Sequence, residues 1–502
     1  MKIKSLILTL VLLLSCALLV ACNTNEEPEK TKEETKEETK KEPTKEETKK
    51  EPTKEETKEE TKEETKPGEM PSSDLVIWVG SESVEFYTEV MAAYVEVAGL
   101  PADKVKVVGM DTGSAADTFL TDPEAGADIF TVAHDNLGKL LAGSGQIAAI
   151  KSESLLEQIE TNNPEAFLDV CYLQAEDGSA AEYYAAPIMS QALVLYYNKE
   201  VFKGQEDKLA SWEGIMEVAK ANNSMATSFT GTDGYNYSAF LLAQPYNEAA
   251  KAVFGTQGTL QLYRGGVQAN CMGYGDDQVA IAKWTQRFIL DKNGRDGKVT
   301  SSDGWSNELT NGKAITVVGG SWHLNNVSAA LGVDNYGIVE LPTFTLTAAD
   351  AYGTAKAGMT FHSGSYVDAK CLVKKANSAW APYLDSIIQY LTSDEIQELS
   401  YLACANQPAS INVDLGDNEL AAAQVAQAKY GIAQPFGYKA KFNTYYYSKG
   451  APDLYVAIHQ NTEGAYATDA QILAKLQEAS FIWAKGKNPA NAQELADWVA
   501  SK

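Results

Sequence analysis

The chain has 502 residues, 42 of them basic and 68 acidic, a formal net charge of −26, and 44 % hydrophobic residues. Residues 1–69 hold 14 lysines and 18 glutamates, so the remainder from Met70 onward still carries a net −22. With only three arginines, Arg264, Arg287 and Arg295, that balance excludes a nucleic-acid partner, while the length suffices for two or more lobes with sizeable cores.

The N-terminus reads as an address. Lys2 and Lys4 precede an apolar run from Leu6 to Val20, interrupted only by Thr9, Ser15 and Cys16. That length suits a signal-peptide core and is short for a spanning helix, which needs about 20 apolar residues. The run ends in Leu19-Val20-Ala21-Cys22, which resembles the bacterial lipobox, where the cysteine is acylated and becomes the new N-terminus. Cys22 is therefore expected as a lipid anchor on the extracellular face of a bacterial cytoplasmic membrane; an ordinary secretory peptide is the plainer alternative. From Glu26 to Glu69 the chain is almost wholly Glu, Lys, Thr and Pro. Pro28, Pro43, Pro52 and Pro67 interrupt any transient helix, and nothing there can form a core, so residues 23–69 read as a solvated tether. As a coil it spans on the order of 35 Å.

After the tether the pattern becomes α/β. Leu75–Val79 is a continuous apolar run, the mark of a strand buried on both faces. Glu85–Val97 reads as a helix with Phe86, Val90, Met91 and Tyr94 on one stripe. A strand at Lys104–Val108, a helix at Ala115–Leu120 and a strand at Asp128–Val132 follow. Strand alternating with helix predicts a parallel, helix-covered sheet, and such sheets bind ligands at the carboxyl ends of their strands. The turns Gly80–Ser83 and Ala133–Asn136 sit at those ends. Further strands are expected at Ala192–Asn198 and Ile315–Val318, and helices at Val279–Leu290 and Ala376–Leu391. Thr392-Ser393-Asp394-Glu395 has capping-box spacing and opens another helix up to Cys404. Trp78, in mid-strand, is expected in the core.

Several chemistries lack their motifs. Neither a phosphate-cradling GxxxxGK[ST] loop nor a GxGxxG turn is present, so no nucleotide cofactor is expected. Gly319-Gly320-Ser321-Trp322-His323 comes near a nucleophile elbow but has His323 where the second glycine belongs. The four histidines are far apart, and Asp291–Asp296 reads as a polar turn better than as a calcium loop, so no metal is expected. Cys171, Cys271, Cys371 and Cys404 match no metal or redox spacing; an exported chain allows three disulfide pairings, and buried free thiols fit as well.

The aromatic content stands out: 25 tyrosines and eight tryptophans in an acidic, arginine-poor chain. Flat ring faces beside Asp, Asn and Gln suit sugars, whose C–H faces stack while their hydroxyls pair with polar planar groups. Several ordered motifs then resemble the extracellular solute-binding proteins of ABC importers, of the maltose/maltodextrin-binding type. They are Asp74–Trp78; Ala127–Gly138 continuing to Ser144-Gly145; Ala186-Pro187-Ile188 with Ala192–Lys199; Asn311–Ala314 to Gly320-Ser321-Trp322; and Leu341–Phe344. They cover nearly all of residues 74–450.

The resemblance implies an α/β, two-lobed periplasmic-binding-protein-like fold with discontinuous lobes joined by crossing strands. The lobes would be residues 70–188 plus 365–412 and 189–364 plus 413–502, following a signal peptide over 1–22. It implies an oligosaccharide held between the lobes, closure on binding, delivery to membrane permease subunits, and no bond broken. Carried over residue by residue, Asp135 would bond sugar hydroxyls and Trp322 would stack on a ring. Glu82 falls near a ligand carboxylate, Gln191 beside the hinge, Tyr235 near a cleft tyrosine, and Tyr445, Tyr446 and Tyr447 near a C-terminal aromatic pair. Ser83, Val132 and Asn136 depart from the basic, tryptophan and arginine residues that occur at these places. From the residues alone, Asp135 could instead cap the following helix. A glycoside hydrolase using Glu82 and Asp135, or a starch-tethering surface protein, are the competing readings, and the former lacks persuasive acid/base spacing.

Overall fold

The structure is a computed structural model that describes residues 70–142, 145–174, 179–230, 235–259, 273–296, 304–433 and 468–501. Ten strands join in one sheet: β1 (Leu75–Val79), β2 (Val105–Gly109), β3 (Ile129–Ala133), β4 (Ile147–Ala148), β5 (Ala186–Asn198), β6 (Met225–Phe229), β7 (Ala314–Gly320), β8 (Tyr336–Val339), β9 (Ser365–Lys375) and β10 (Gly431–Ala433). The order across it is β2-β1-β3-β9-β5-β7-β6, with β8 on β5 and both β4 and β10 on β9. The helices used below are α1 (Val84–Ala98), α2 (Leu137–Leu141), α3 (Glu165–Cys171), α4 (Asp276–Leu290), α5 (Ala381–Leu391), α6 (Asp394–Cys404), α7 (Glu419–Ala428) and α8 (Asp469–Lys485).

The sheet is mixed, not wholly parallel. β1 runs parallel to β2 and β3, and β7 parallel to β6, so each lobe keeps the expected parallel centre. Between them β9 runs antiparallel to β3 and to β5, and β5 antiparallel to β7. The cause is the length of β5 and β9, which pass from one lobe into the other as single strands instead of returning through helices. Ala186–Ala192 of β5 pairs with β9, and Leu193–Asn198 pairs with β7 and β8. This is the two-lobed fold with crossing strands.

Each lobe has its own apolar core. In the first, the α1 stripe of Phe86, Val90, Met91 and Tyr94 packs on Leu75 and Ile77, joined by Leu384, Ile387 and Leu391 from α5. The other sheet face buries Trp78, Phe119, Phe130, Val132 and Leu137, which places Trp78 in the core as expected. In the second lobe Trp212, Phe229, Phe240, Trp284, Phe288 and Phe344 form an aromatic-rich core. Burial of each such side chain contributes about 1.5–3 kcal/mol, enough to make each lobe rigid beside a cleft. Helix α7 packs on β5 and β8, and α8 on α4. Among the described residues no helix is long and apolar enough to cross a membrane.

Two helix boundaries differ from expectation. The predicted helix at Ala376 begins only at Ala381, because Asn377 takes a positive φ of 57° and Ser378 turns its hydroxyl to the Asp128 carboxylate at 2.6 Å. The next helix is capped by Ser393, whose hydroxyl accepts from the Ile396 amide at 3.4 Å. Thr392 does not serve as that cap: its hydroxyl donates to the Ile388 carbonyl at 2.8 Å and accepts from Gln158 Nε2 at 2.9 Å. Cys171 of α3 and Cys371 of β9 are buried free thiols with sulfurs 3.6 Å apart, and Cys404 is free and half-buried. Cys271 lies outside the described residues.

Candidate functional site

Three strands of the sheet run out into short turns. β1 leads into a 3-10 turn at Ser81–Ser83, β3 into one at His134–Asn136, and β7 into one at Ser321–His323. All three lie at carboxyl ends, the side on which open α/β sheets bind ligands. Between the β3 and β7 turns run the crossing strands, and Asp368 of β9 stands directly opposite Gln191 of β5. Opposed residues of an antiparallel pair share one face, so these two side chains belong to one surface.

The β3 side is polar and largely dry. His134 is fully buried and accepts the Ala369 amide on Nδ1 at 3.2 Å, which puts the ring hydrogen on Nε2. The same Nδ1 lies 3.8 Å from Oδ1 of Asp368. Asp368 is only 3 % exposed, and Oδ1 has no hydrogen-bond partner among the described residues. Burial pushes its carboxyl up to about 6, against the pull of Lys370 and the Tyr235 hydroxyl. Asp135 is half-buried and accepts from Asn136 Nδ2 at 3.0 Å. It too is pushed up to about 6, first by desolvation and then by Asp368, while His134, Lys370 and Lys139 pull it down. Asn136, not Asp135, occupies the N-cap of α2, and no side chain caps that helix. The capping role is thus not what holds Asp135.

The β7 side is aromatic. Trp322 is 42 % exposed, rare for so large an apolar side chain. Its ring lies against Gly320, where a Cβ would come within 2.1 Å of the indole carbons, so only glycine admits this pose. The strand end is held by the Tyr196 hydroxyl, which donates to the Gly320 carbonyl at 2.9 Å. Behind Trp322, the Tyr235 ring sits 5.8 Å away at 55°, and Tyr235 stacks in turn on the buried Tyr366 of β9 at 5.6 Å. His323, next to Trp322, is driven down to about 4 by burial and is neutral at ordinary pH.

Four of the residues singled out from sequence therefore gather in one place: Asp135, Gln191, Tyr235 and Trp322, tied together by Asp368 and Tyr366 of β9. Glu82 does not join them in any described contact; it is exposed on the β1 turn, with Tyr87 and Cys404 as electrostatic neighbours. Tyr445, Tyr446, Tyr447 and Cys22 lie outside the described residues. Sequence reading passes over His134, Tyr366 and Asp368. For Asp368 a signal does exist: a carboxylate between the apolar Tyr366, Val367 and Ala369 of one strand. At the departing positions, Val132 is core, Ser83 is buried and accepts from Asn406 Nδ2 at 3.0 Å, and Asn136 is spent on Asp135. As chemistry, the arrangement offers an exposed ring face, a half-buried carboxyl and an amide, all on rigid strand ends.

A family model described as bacterial extracellular solute-binding protein matches residues 91–427. The maltodextrin-binding protein MdxE of Bacillus subtilis (strain 168) is 25 % identical over 339 residues, covering 66 % of this chain and 73 % of that protein. A maltooligosaccharide ABC transporter solute-binding lipoprotein of Streptococcus pneumoniae (serotype 4, TIGR4) is 23 % identical over 286 residues, covering 55 % of this chain and 61 % of its own length. Among solved structures, the unliganded maltodextrin-binding protein MalE1 of L. casei BL23 superposes with a TM-score of 0.62 at 21 % identity, covering 83 % of this chain and 100 % of that one. A cyclo/maltodextrin-binding protein complexed with maltotetraose gives 0.59 at 18 % identity, covering 82 % and 97 %.

Proposed function

The chain belongs to the bacterial extracellular solute-binding proteins, and from that premise we propose that it captures maltodextrins between its lobes and passes them to an ABC permease in the membrane. The observation that carries the reading is the half-exposed Trp322 ring, seated on Gly320 and backed by Tyr235, whose hydroxyl reaches Asp368, the residue opposite Gln191. An indole face stacks on the C–H side of a glucose ring, and a carboxylate accepts its hydroxyl hydrogens. In this reading Trp322 is the platform, Tyr235 its support, Asp135 and Gln191 the hydroxyl partners, and Glu82 with Tyr445, Tyr446 and Tyr447 outer contacts. That the sugar is an α-glucan rests on the names of the relatives.

No bond is broken. Work is done by differential affinity: a ligand that touches both lobes favours the closed arrangement over the open one, and the permease reads that difference. The lobes are 70–188 plus 365–412 and 189–364 plus 413–502, supported by the packing of α7 and α8 on second-lobe elements. Cys22 carries the lipid and residues 23–69 hold the body clear of the membrane; Cys22→Ala is expected to release the protein into the medium. Calorimetry against maltose, maltotriose, longer maltodextrins and xylo- and galacto-oligosaccharides tests the whole. Maltotriose or longer chains are expected to bind and to be recovered intact by chromatography. Heat only with the non-glucan sugars removes the substrate while leaving the architecture; product beyond one equivalent means an enzyme.

A further inference from the structure

We propose that Cys171 and Cys371 close into a disulfide as the chain folds outside the cell, stapling α3 of the first lobe to the crossing strand β9.

The two sulfurs lie 3.6 Å apart although the residues are 200 positions apart in the chain. Both side chains are fully buried in one core, on the sheet face that also holds Phe130, Val132 and Leu137. Closing the bond asks the sulfurs to approach by about 1.5 Å, to an S–S length of about 2.05 Å. The backbone at both ends has room to yield. Cys171 is the last residue of α3, and the pairing of β9 with β5 shifts register between Lys370 and Cys371, an irregularity of the kind that re-aims a side chain. Cys404 is no competitor for either sulfur. It packs against the core on the opposite face of the sheet, beside the α1 and α6 side chains, and its thiol bonds Ser83.

The chemistry balances with an oxidant that is itself a disulfide, small or protein-borne, of the kind an extracellular compartment maintains. One cysteine thiolate attacks the oxidant and displaces a thiolate, leaving a mixed disulfide. The second cysteine attacks the protein sulfur of that mixed disulfide and displaces the other half. The two cysteines give up two protons and two electrons, one S–S bond forms as one breaks, and the oxidant leaves as two thiols. Folding sets the timing. In the closed core neither sulfur meets solvent, and burial, then the neighbouring Cys171, pushes the Cys371 thiol well up and suppresses its thiolate. The bond therefore forms before α3 has fully seated on β9, and once buried it is out of reach of reductants.

The position gives the staple its use. The chain leaves the first lobe along β5 from Ala186 and returns along β9 as far as Lys375, so the bond closes a loop that holds nearly the whole excursion through the second lobe. Closing so long a loop removes more freedom from the unfolded chain than closing a short one. It also keeps β9 beside β3 when the second lobe opens.

The test is peptide mapping of the full chain, recovered after export from aerated culture, with free thiols alkylated in denaturant and no reductant added. Trypsin releases residues 152–199, in which Cys171 is the only cysteine, and residues 371–374, which carry Cys371. These two peptides are expected joined, lighter than their sum by the two lost hydrogens. Cys171 and Cys371 both alkylated, or either one joined to Cys271 or Cys404, overturns the proposal. Urea unfolding with and without dithiothreitol then tests the staple: the wild-type midpoint is expected to fall by about 1 M on reduction, and that of Cys171→Ala/Cys371→Ala to stay where it is. No fall in wild type, or an equal fall in both, overturns it. If the double variant does not fold, the peptide map and the wild-type midpoint decide.

Discussion

At the carboxyl end of β3 the half-buried Asp135 sits in front of the buried Asp368 and His134, ionisable groups taken largely out of water; at the carboxyl end of β7 the exposed Trp322 lies over Tyr235, a wall of aromatic rings. The two walls ask different things of the protein. An aromatic face needs only room and backing, and the bare Gly320 provides the room. A carboxylate in a dry wall destabilises the empty protein whenever it is charged, and a ligand hydroxyl offsets that cost. On the proposed reading the β7 wall supplies affinity through ring stacking, and the β3 wall supplies orientation through its carboxyl.

The largest expected effect falls on the aromatic wall. Trp322→Ala removes the platform and weakens maltodextrin binding by roughly 1–3 kcal/mol, the scale of a lost aromatic contact with its burial. Calorimetry should find the same loss at pH 7.5 and 5.0. A loss that appears at one pH only would mean the walls are not separable. Next comes the stability of the unliganded protein. Asp135 and Asp368 both have folded values raised from 3.8 to about 6, so the folded state holds protons more tightly than the unfolded chain. Their contribution is present below about pH 4 and is lost as the pH rises through about 6. After discounting for the solvent that reaches Asp135, the swing is on the order of 1–2 kcal/mol. Asp368→Asn should flatten it, seen as a smaller fall in melting temperature between pH 4.5 and 7.5 than wild type shows.

How much of this was legible beforehand divides along the same line. Trp322 and Asp135 could be found because the motifs that hold them resemble those of the maltose/maltodextrin-binding family, and each follows an apolar strand at its carboxyl end. β1, β3 and β7 were readable for the same reason, within one or two residues at their ends. The crossing strand β5 was readable only from Ala192, because Pro187, Ser190 and Gln191 break its apolar run, although the strand begins at Ala186. Asp368 is of another kind. Its meaning depends on β9 pairing with both β3 and β5, which brings together residues more than 170 positions apart in the chain, as in the Leu193 amide to Ser365 hydroxyl bond. No local periodicity carries that register. Alternation of strand and helix predicts a wholly parallel sheet and does not carry the two antiparallel crossing strands, which only the family resemblance implies.

Smaller changes sharpen the contrast further. Gly320→Ala places a methyl within 2.1 Å of the Trp322 indole and must displace the ring. The cost to binding is about 1 kcal/mol, less than loss of the ring, because a tilted indole keeps part of its contact. Tryptophan fluorescence should shift in the unliganded variant before any sugar is added, and an unchanged spectrum would mean that the ring was not held on Gly320.

Glu82 gives the smallest effect and the most direct check on where the polar wall ends. It sits on the β1 turn, exposed, apart from the cluster around Asp368, with Tyr87 and Cys404 as its electrostatic neighbours. An exposed carboxylate is screened by water and salt, and its hydrogen bond to a sugar largely replaces one to solvent. Glu82→Gln is therefore expected to change maltotriose affinity by no more than about twofold at pH 7.5. A loss of tenfold would show that the β1 turn swings onto the ligand when the lobes close. The polar wall would then extend over two strand ends.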